Sequence, residues 1–501
     1  MTERFVALAV ASVLCLTVLT VPAGAAGEAV PRHGVAEIAL AAGSSYDGAA
    51  GEPSPFDLEV TAEVTSPSGK RFSVPGFFDG DGEGGQTGKI FKVRIAAGEA
   101  GTWRWKIASE VPGLDGRSGE IEVAGDLPGF FRQGPIVATR RFFRQRDGGP
   151  VFLAGKFLDV GATPPLRYSQ TLLSESLTDA DRQAMLDRHL GMGLNKMNVY
   201  LANQGDYGGS LPTTPWLGTA AANDRRFFDL RRWRSWEEWI GRLRDAGMVA
   251  QLWFFADDSN FGALPEADRQ RLIRYGMARL SASVNTMFTL VLEWQEGWPA
   301  AQVEADGLFL QRNNPWERLA SVHGLTGDFA FPAASWVDYL DLQAGNQVDP
   351  ARVHALGIAN RAKAVKPLIQ EELAMGEEDA ANRRKAWAAF LAGAAGVGTG
   401  ADLAHLARFA ARVPFARMAP EDDLVLAGNA YALADPENAY VFQLWDGGTV
   451  RIDLRRASGP FTVEWFDPRE GSFRPVPSAH GGRVKTFTAP TRDDWILYIH
   501  K

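Results

Sequence analysis

Cysteine is almost absent from the sequence: the 501 residues contain only one, Cys15. It lies in an apolar run from Phe5 to Val21, which is followed by the small residues Pro-Ala-Gly-Ala-Ala at 22–26. This pattern predicts a signal peptide over residues 1–26. Since the leucine before Cys15 does not fit a lipoprotein signal, we expect no lipid anchor. The processed chain then has no thiol, which excludes disulfides and thiolate chemistry. We expect an exported protein, secreted or periplasmic.

Long apolar runs and a surplus of basic residues are also missing. No later stretch approaches the roughly 20 apolar residues that cross a bilayer, so we expect no membrane insertion after signal cleavage. The 52 basic and 60 acidic residues give a net charge of -8 and are mixed along the chain. Because nucleic acid demands a basic surface, the sequence predicts no nucleic-acid partner and favours a neutral or polar substrate.

Motifs for metal, nucleotide or serine-hydrolase chemistry are absent as well. The sequence has no HExxH, Walker or GxSxG element. Residues 396–401 superficially fit a dinucleotide fingerprint, but they follow a helix and a very short apolar stretch, so we interpret them as a tight turn. The Asp79-Gly80-Asp81-Gly82 turn lacks the later ligands of a calcium loop and is interpreted as a hairpin. We therefore predict no metal and no cofactor.

Three regions of the chain differ in their hydrophobic periodicity. Residues 27–135 and 416–501 contain short stretches of alternating apolar and polar residues, such as 91–95 and 461–465, between Gly, Pro and Asp clusters. This alternation predicts an N-terminal β-sandwich and a smaller C-terminal one. Residues 136–415 instead alternate apolar runs with longer amphipathic stretches, which predicts strands alternating with helices.

The central region contains eight strand candidates and six clear helical stretches. The strands are predicted at Val151–Gly155, Leu194–Leu201, Val249–Phe255, Phe288–Trp294, Leu319–His323, Tyr339–Gln343, Pro367–Glu371 and Ala394–Gly398. The helices are predicted at Asp179–Leu190, Trp233–Ala246, Glu266–Ser281, Ala300–Gln311, Pro350–Ala362 and Glu377–Leu391. Eight such units in about 260 residues predict a (β/α)8 TIM barrel, whose site is built at the carboxyl ends of the strands.

Two of the predicted barrel strands end in glutamates. Strand four leads into Glu293 and Glu296, and strand seven into Glu371 and Glu372. These strands face each other across the barrel mouth, and retaining glycosidases need two carboxyls about 5 Å apart. Adjacent strand residues point to opposite faces, so Glu293 could instead face the helices, and one of Glu371 and Glu372 faces away. For any of them the alternative is a surface glutamate at a strand end.

The pattern around these glutamates resembles the large clan of retaining (β/α)8 glycosidases. Gln295-Glu296 after strand four, and Pro367 followed five residues later by Glu372, are similar to the clan's two catalytic motifs. The resemblance implies that Glu372 is the nucleophile and Glu296 the acid/base, with Glu371 and Glu293 as alternatives. The clan usually has Asn before its acid/base glutamate, where it binds the sugar 2-hydroxyl, and Gln295 departs from that pattern.

Further segments resemble the apiosidase-like hydrolases within this clan. Within the barrel these segments are residues 152–155, 318–323 and 393–400. Residues 75–82 and 101–103 resemble the β-sandwich that precedes such barrels. Residues 465–471 and 493–495 resemble the small C-terminal domain of these enzymes, which is labelled collagen-binding. The likeness covers nearly the whole processed chain and implies a hydrolase of three domains.

Several other polar and aromatic residues lie near predicted strand ends. They are candidates for sugar contacts by position: Gln295, His323, Asn198, Tyr200, Trp253, Asp257, Gln343 and Trp298. His323 has the alternative of a buried histidine bonded to backbone, and Trp298 could pack against the fourth helix instead of a sugar ring.

The sequence therefore predicts a secreted retaining glycoside hydrolase that acts on a polysaccharide or oligosaccharide without a cofactor. The alternative is an inactive barrel that serves as a carbohydrate-binding or adhesive protein, because a fold does not guarantee its usual function. Carboxyls of the predicted pair more than about 10 Å apart would favour that alternative, and a separation of about 6.5 to 9.5 Å would indicate inversion.

Overall fold

The computed structural model describes residues 19–20, 29–156, 162–163, 165–205, 210–256, 261–325, 327–344, 349–373, 379–398 and 403–501. It confirms the predicted fold class: a parallel barrel lies between an N-terminal pair of mostly antiparallel sheets and a C-terminal pair of antiparallel sheets. Among the described residues, no helix combines the length and apolar character that crossing a bilayer requires.

The N-terminal region forms two sheets that enclose an apolar core. One sheet contains, in spatial order, Leu19–Thr20, Val35–Asp47, Thr87–Ala96 and Phe77–Phe78. The other contains Val30–Arg32, Ser118–Asp126, Gly101–Ser109, Val60–Thr65 and Arg71–Pro75. In Gly101–Ser109, buried Trp103, Trp105 and Ile107 alternate with exposed residues, as the period of two requires.

A short connector leads from this sandwich to the barrel. It consists of the 3-10 turn Phe130–Gln133 and a three-stranded antiparallel sheet, whose strands are Ile136–Thr139, Phe142–Gln145 and Pro150–Val151. Its buried rings Phe131 and Phe143 pack with residues at the amino-terminal ends of the barrel strands, among them Val249 and Leu319. The connector therefore covers the bottom of the barrel.

The barrel sheet is closed, and its fifth strand is split into two parts. The strands in chain order are Leu153–Lys156, Lys196–Tyr200, Val249–Phe255, Thr286–Val291, Ala320–Ser321 with His323–Gly324, Leu340–Gln343, Leu368–Glu371 and Gly396–Gly398. Ala320–Ser321 pairs with strand four and His323–Gly324 pairs with strand six, while strands one and eight pair with each other. The break falls at Val322, between the two pairings.

In the described part of the chain seven helices accompany the strands, and all six predicted ones are among them. They are Asp179–Gly191, Leu230–Asp245, Glu266–Leu280, Ala300–Arg312, Pro350–Lys363, Asp379–Leu391 and Leu403–Arg412. Asp229 caps the second helix by accepting a hydrogen bond from the Arg232 N–H, which explains why this helix begins three residues before the predicted Trp233. The helix Leu403–Arg412, after strand eight, was not predicted.

A buried ionic network joins the N-terminal sandwich to the barrel helices. Arg94 and Arg279 both bind the Glu237 carboxylate, and Arg279 also binds Asp79 at 2.7 Å. Burial raises the pKa of Glu237, but the two guanidiniums outweigh it and hold the value at about 2. The Asp79 carboxylate is thus committed to an ion pair, and Asp81 in the same turn accepts two backbone N–H groups.

The C-terminal region also forms two antiparallel sheets. The larger contains, in spatial order, Ala419–Pro420, Ala430–Asp435, Ala439–Leu444, Trp495–His500, Pro460–Asp467 and Ser472–His480. The smaller contains Val425–Ala427, Thr449–Asp453 and Val484–Thr488. A buried ion pair of Arg383 with Asp494 at 3.0 Å, and stacking of His354 on Tyr431, attach this region to the barrel.

Candidate active site

Glu372 lies immediately beyond the seventh barrel strand, at the mouth of the barrel. The strand ends at Glu371, and the backbone then turns into the left-handed region, with φ 50° at Glu372. The side chain is 5% exposed, so it lines an interior rather than the outer surface. A left-handed turn is strained for a residue with a Cβ atom, and such strain is concentrated at functional sites.

Glu293 occupies the corresponding place beyond strand four. This strand ends at Val291, and Glu293 also has a left-handed backbone, with φ 42°. In the described part of the chain only five non-glycine residues have positive φ, and Glu293 and Glu372 are two of them. The side chain of Glu293 is half-buried. Both glutamates are therefore held by strained turns at opposite strands.

The side chains of Glu293 and Glu372 meet at Gln343, which ends strand six. The Gln343 amide nitrogen donates to Glu293 Oε1 and, at 2.5 Å, to Glu372 Oε2. Oxygen atoms of the two carboxylates and a ring nitrogen of His323 all lie within 4.8 Å of one another. That separation agrees with the about 5 to 5.5 Å of retaining glycosidases and is shorter than the inverting range.

Glu296, the predicted acid/base, is not brought into this group by the structure. It ends the exposed 3-10 turn Trp294–Glu296, whose Glu296 N–H donates to the Glu293 carbonyl at 3.0 Å. The physical reason is that strand four ends at Val291 instead of Trp294, so the left-handed turn at Glu293 diverts the chain before Glu296 is reached.

Gln295 on the same turn is exposed and accepts the Leu325 N–H at 2.8 Å. It stabilises the segment after strand five, and the structure does not bring it to the carboxylate pair. Trp298 is buried against Phe255, with the Arg269 guanidinium 5.9 Å from its ring centre. Its neighbours are thus Phe255 of strand three and Arg269 of the third helix, and its contact with a sugar stays a prediction.

His323 lies beside the pair and is fully buried. Its Nδ1 accepts the Glu293 backbone N–H at 3.4 Å, and burial together with the charge of Lys196 lowers its pKa to about 3. The ring is therefore neutral, with its proton on Nε2. Within the described residues Nε2 has no hydrogen-bond partner, so it is an available donor at the site.

Trp253, from strand three, packs on His323 with ring centres 5.2 Å apart. Its ring centre also lies 6.0 Å from that of Tyr200. Its indole N–H also has no acceptor in the described chain. These rings form a small apolar cluster with Ala256 and Leu292 at the ends of strands two to four. Asp257, the remaining predicted contact, lies outside the described residues.

A second polar layer lies below the pair, inside the barrel. Lys196 donates to Asn198 at 2.6 Å, to Gln251 at 2.7 Å and to Glu371. Asn198, a predicted substrate contact, also donates to Glu371 at 3.3 Å and is 1% exposed, so it lies in this lower layer. Glu371, the alternative to Glu372, is the buried partner of Lys196.

Asp341 completes this lower layer. Burial and the neighbouring Glu371 raise the pKa of Asp341 well above its usual value, and its Oδ2 accepts from Gln251 at 2.8 Å and from Thr289 at 3.2 Å. Lys196 and Asp341 were missed by sequence reasoning. The available signal was a charged residue at an inward position of an otherwise apolar strand.

Among the described residues, Glu293, His323 and Glu372 also form the one cluster of three side chains close enough together to hold a metal ion. Gln343 donates to one oxygen of each carboxylate, and the histidine Nδ1 accepts a backbone N–H. Two close carboxylates beside a neutral imidazole can also serve acid, base and nucleophile chemistry.

Comparisons with known proteins agree with this architecture. Residues 29–110 match a family model described as "Domain of unknown function (DUF5060)", and residues 421–500 match "Putative collagen-binding domain of a collagenase". By sequence, the chain matches none of the curated proteins with which it was compared.

Solved structures extend the likeness across the barrel. A protein described as "a putative glycoside hydrolase" from Bacteroides vulgatus is 17% identical, with a TM-score of 0.77 over 94% of this chain and 99% of its own. A "glycoside hydrolase family 5" from the same organism is 14% identical, with a TM-score of 0.63 over 74% of this chain and 93% of its own. At these identities the likeness shows the fold: a barrel flanked by sheet domains.

Proposed function

We propose that this chain is a retaining glycoside hydrolase in which Glu372 is the nucleophile and Glu293 the acid/base. The observation that carries the proposal is the pair of carboxylates within 4.8 Å at the ends of facing strands four and seven. The structures of similar fold that are described as glycoside hydrolases support it. The substrate would be a polysaccharide or oligosaccharide, as for the apiosidase-like enzymes that the sequence resembles.

In the first step Glu372 attacks the anomeric carbon while Glu293 gives its proton to the departing oxygen. Two carboxylates this close repel each other when both are ionised, which favours one shared proton before the reaction. In the second step Glu293 removes a proton from water, and that water releases the sugar from Glu372. The Gln343 N–H steadies the nucleophile, and the free His323 and Trp253 N–H groups are placed to bind sugar oxygens.

The roles can be separated with activated aryl glycosides and azide. After a panel of dinitrophenyl glycosides identifies a substrate, we expect Glu293→Ala to accumulate the glycosyl intermediate and azide to restore turnover, with a glycosyl azide of retained configuration. Azide added to Glu372→Ala should give the opposite anomer. Proton NMR of the first product distinguishes the two.

Glu296→Ala is the matched control, because Glu296 lies on the exposed turn directly after Glu293. It should keep its activity within a few-fold. If Glu296→Ala instead loses turnover while Glu293→Ala keeps it, the assignment of the acid/base is wrong. An inverted product from the wild-type enzyme would overturn the retaining mechanism.

The inactive, carbohydrate-binding alternative makes a different prediction. The sequence criterion for it concerned the separation of Glu296 and Glu372. The proposal rests instead on Glu293 and Glu372, which each offer a carboxylate oxygen within 4.8 Å of the other. A protein that binds sugars without any turnover on the full panel, in wild type and variants alike, would favour it. We also propose export, secreted or periplasmic, which N-terminal sequencing of the mature protein would test.

A further inference from the structure

A cleft of about 290 Å³ lies between the N-terminal sandwich and the bottom of the barrel. The sandwich contributes Phe72 and Trp103, and the barrel side contributes Arg146, Trp316 and Arg318. Arg318 precedes strand five, whereas His323 follows the break in that strand, so the cleft is at the opposite end of the barrel from the carboxylate pair. Its size is close to the lower end of small-molecule sites, about 300 Å³.

Arg318 brings a buried positive charge to this cleft. It is 4% exposed and donates to the carbonyls of Ser281 and Ala282, just after helix Glu266–Leu280. Among the described residues, no carboxylate oxygen lies close enough to Arg318, within 4.0 Å, to form an ion pair. Burial and the neighbouring Arg146 lower its pKa to about 9, so it remains charged at neutral pH.

The carboxylates that line the cleft are already occupied. Asp147 binds Arg32 at 2.7 Å and His33 at 3.1 Å. Glu99 accepts hydrogen bonds from Ser68, and Glu317 pairs with Lys70. Neither Arg146 nor Arg318 has a carboxylate partner among the described residues. The two guanidiniums line one cleft, where an anion could bind both.

Aromatic rings form the other wall of the cleft. Phe72 stacks on Trp103 with ring centres 5.9 Å apart and lies 5.0 Å from Trp316, which belongs to the barrel side. The Trp103 indole donates to the Glu99 carbonyl at 2.9 Å, so its polar edge is satisfied within the protein. Trp103 and Trp316 are 2% and 6% exposed, so Phe72, which also has Lys70 4.9 Å from its ring centre, offers most of the ring surface that a ligand would meet. Arg146 and Arg318 lie on the other side.

The backbone around the cleft is strained in the same way as at the active site. His33 has φ 69° and Glu317 has φ 53°, and both line the cleft. Together with Glu293 and Glu372 they account for four of the five non-glycine residues with positive φ in the described chain. Such strain persists where surrounding structure enforces it, often at ligand sites.

We propose that this cleft is a second binding site, for a small carboxylated ring such as a hexuronic acid. Its carboxylate would bridge Arg146 and Arg318, and its ring would lie against Phe72 and Trp316. A bare inorganic anion would use the two cations and leave the aromatic wall unused. Because the cleft walls come from two domains, bound ligand would join the sandwich to the barrel and stabilise both.

The test uses the full chain carrying Glu372→Gln, so that hydrolysis cannot consume or confuse the ligand. Isothermal titration and thermal melting with galacturonate should show binding and a raised Tm, galactose should show neither, and added NaCl should weaken binding. Arg146→Met and Arg318→Met should each weaken binding by at least about tenfold. Arg104→Met, on the exposed outer face of the same sandwich, is the matched control and should bind normally.

Three results would overturn the proposal: no binding of galacturonate at millimolar concentration, equal binding of galactose, or unchanged binding in Arg146→Met. Inorganic phosphate binding as tightly as galacturonate would overturn the assignment of a sugar acid. Because Arg318 also binds backbone carbonyls, the binding result for Arg318→Met counts only if that variant unfolds cooperatively. If it does not, Arg146→Met decides the test, since Arg146 is only half-buried.

Discussion

Glu371 and Glu372 are adjacent in the chain, yet they lie in two different environments. Glu371 is fully buried, bound to Lys196 and Asn198, and ends a regular strand. Glu372 follows in a left-handed turn, meets Gln343 and faces a second carboxylate, Glu293. The first arrangement neutralises a charge and the second brings two like charges together.

The same contrast separates the two polar layers of the barrel. In the lower layer Lys196 donates three hydrogen bonds and Gln251 donates to Asp341, so most polar groups are used internally. At the mouth, the N–H groups of His323 and Trp253 have no acceptor in the described chain. Unused donors and close carboxylates mark the layer that meets substrate, whereas satisfied donors mark the layer that supports it.

The largest expected difference between the layers is in turnover. We expect Glu372→Gln to lower kcat by about 10⁴-fold or more, because the attacking oxygen is replaced by an amide. The same variant should change the free energy of unfolding by no more than about 1 kcal/mol, since glutamine fills the same volume. Steady-state kinetics and urea denaturation measure the two effects. A variant that retains full activity would remove Glu372 from the mechanism.

The buried His323 should make the free energy of unfolding depend on pH. Its pKa is about 3 in the folded protein, against an ordinary value of 6.5. Between these values the unfolded chain binds a proton that the native ring does not, so stability falls as pH falls from 6.5 towards 3, on the order of 5 kcal/mol in all. Above pH 6.5 this contribution is constant.

We expect His323→Gln, which cannot titrate, to lose less stability than wild type over that acid range. Urea denaturation at a series of pH values measures the difference. His480→Gln, at an exposed position in the C-terminal region, is the matched control and should follow the wild type. Parallel pH curves for wild type and His323→Gln would contradict the neutral, buried histidine.

The lower layer should respond through stability. Glu371→Leu leaves Lys196 charged and buried without its partner, and we expect it to reduce the free energy of unfolding by about 3 to 5 kcal/mol. The double variant Lys196→Met with Glu371→Leu removes both charges and should recover most of that loss. Urea denaturation checks both. If the double variant is as unstable as the single one, the ion pair is not the cause.

Gln343, which joins the two carboxylates at the mouth, should give the smallest effect. Gln343→Met keeps the volume but removes the N–H group shared by Glu293 and Glu372. We expect kcat to fall by up to about 10²-fold through loss of alignment, with the bell-shaped pH profile of kcat/KM displaced. Gln343→Glu, which adds a third carboxyl, should be worse. An unchanged pH profile in both variants would show that Gln343 only fills space.

The fold could be predicted from the sequence because apolar strand runs alternate with amphipathic helical stretches through the central region. Glu372 was preferred to Glu371 for its resemblance to the clan motif. Glu296 was preferred to Glu293 because Gln295-Glu296 resembles the clan's acid/base motif and Glu293 could have faced the helices. A left-handed turn leaves no trace in hydrophobic periodicity. A polar Thr289 inside the strand was a usable signal: Thr289 and Glu293 share parity, and Thr289 faces the barrel interior.

The level of a residue along the barrel axis was harder to predict than whether its side chain faces the barrel interior or the helices. Asn198 has the inward parity of a site residue, yet it lies in the lower layer beside Lys196. Alternation along a strand distinguishes inside from outside, but the level at which an inward residue meets substrate depends on strand stagger, which is a tertiary property. Trp298 was hard to place for a related reason: its neighbour Phe255 belongs to strand three, which is distant in the sequence.

The left-handed backbone at Glu293 and Glu372 also matters for protein engineering. Glycine or asparagine adopts that conformation at little or no steric cost. Either residue at these two turns should therefore relieve backbone strain and raise heat resistance, but it would also remove a carboxylate of the proposed catalytic pair.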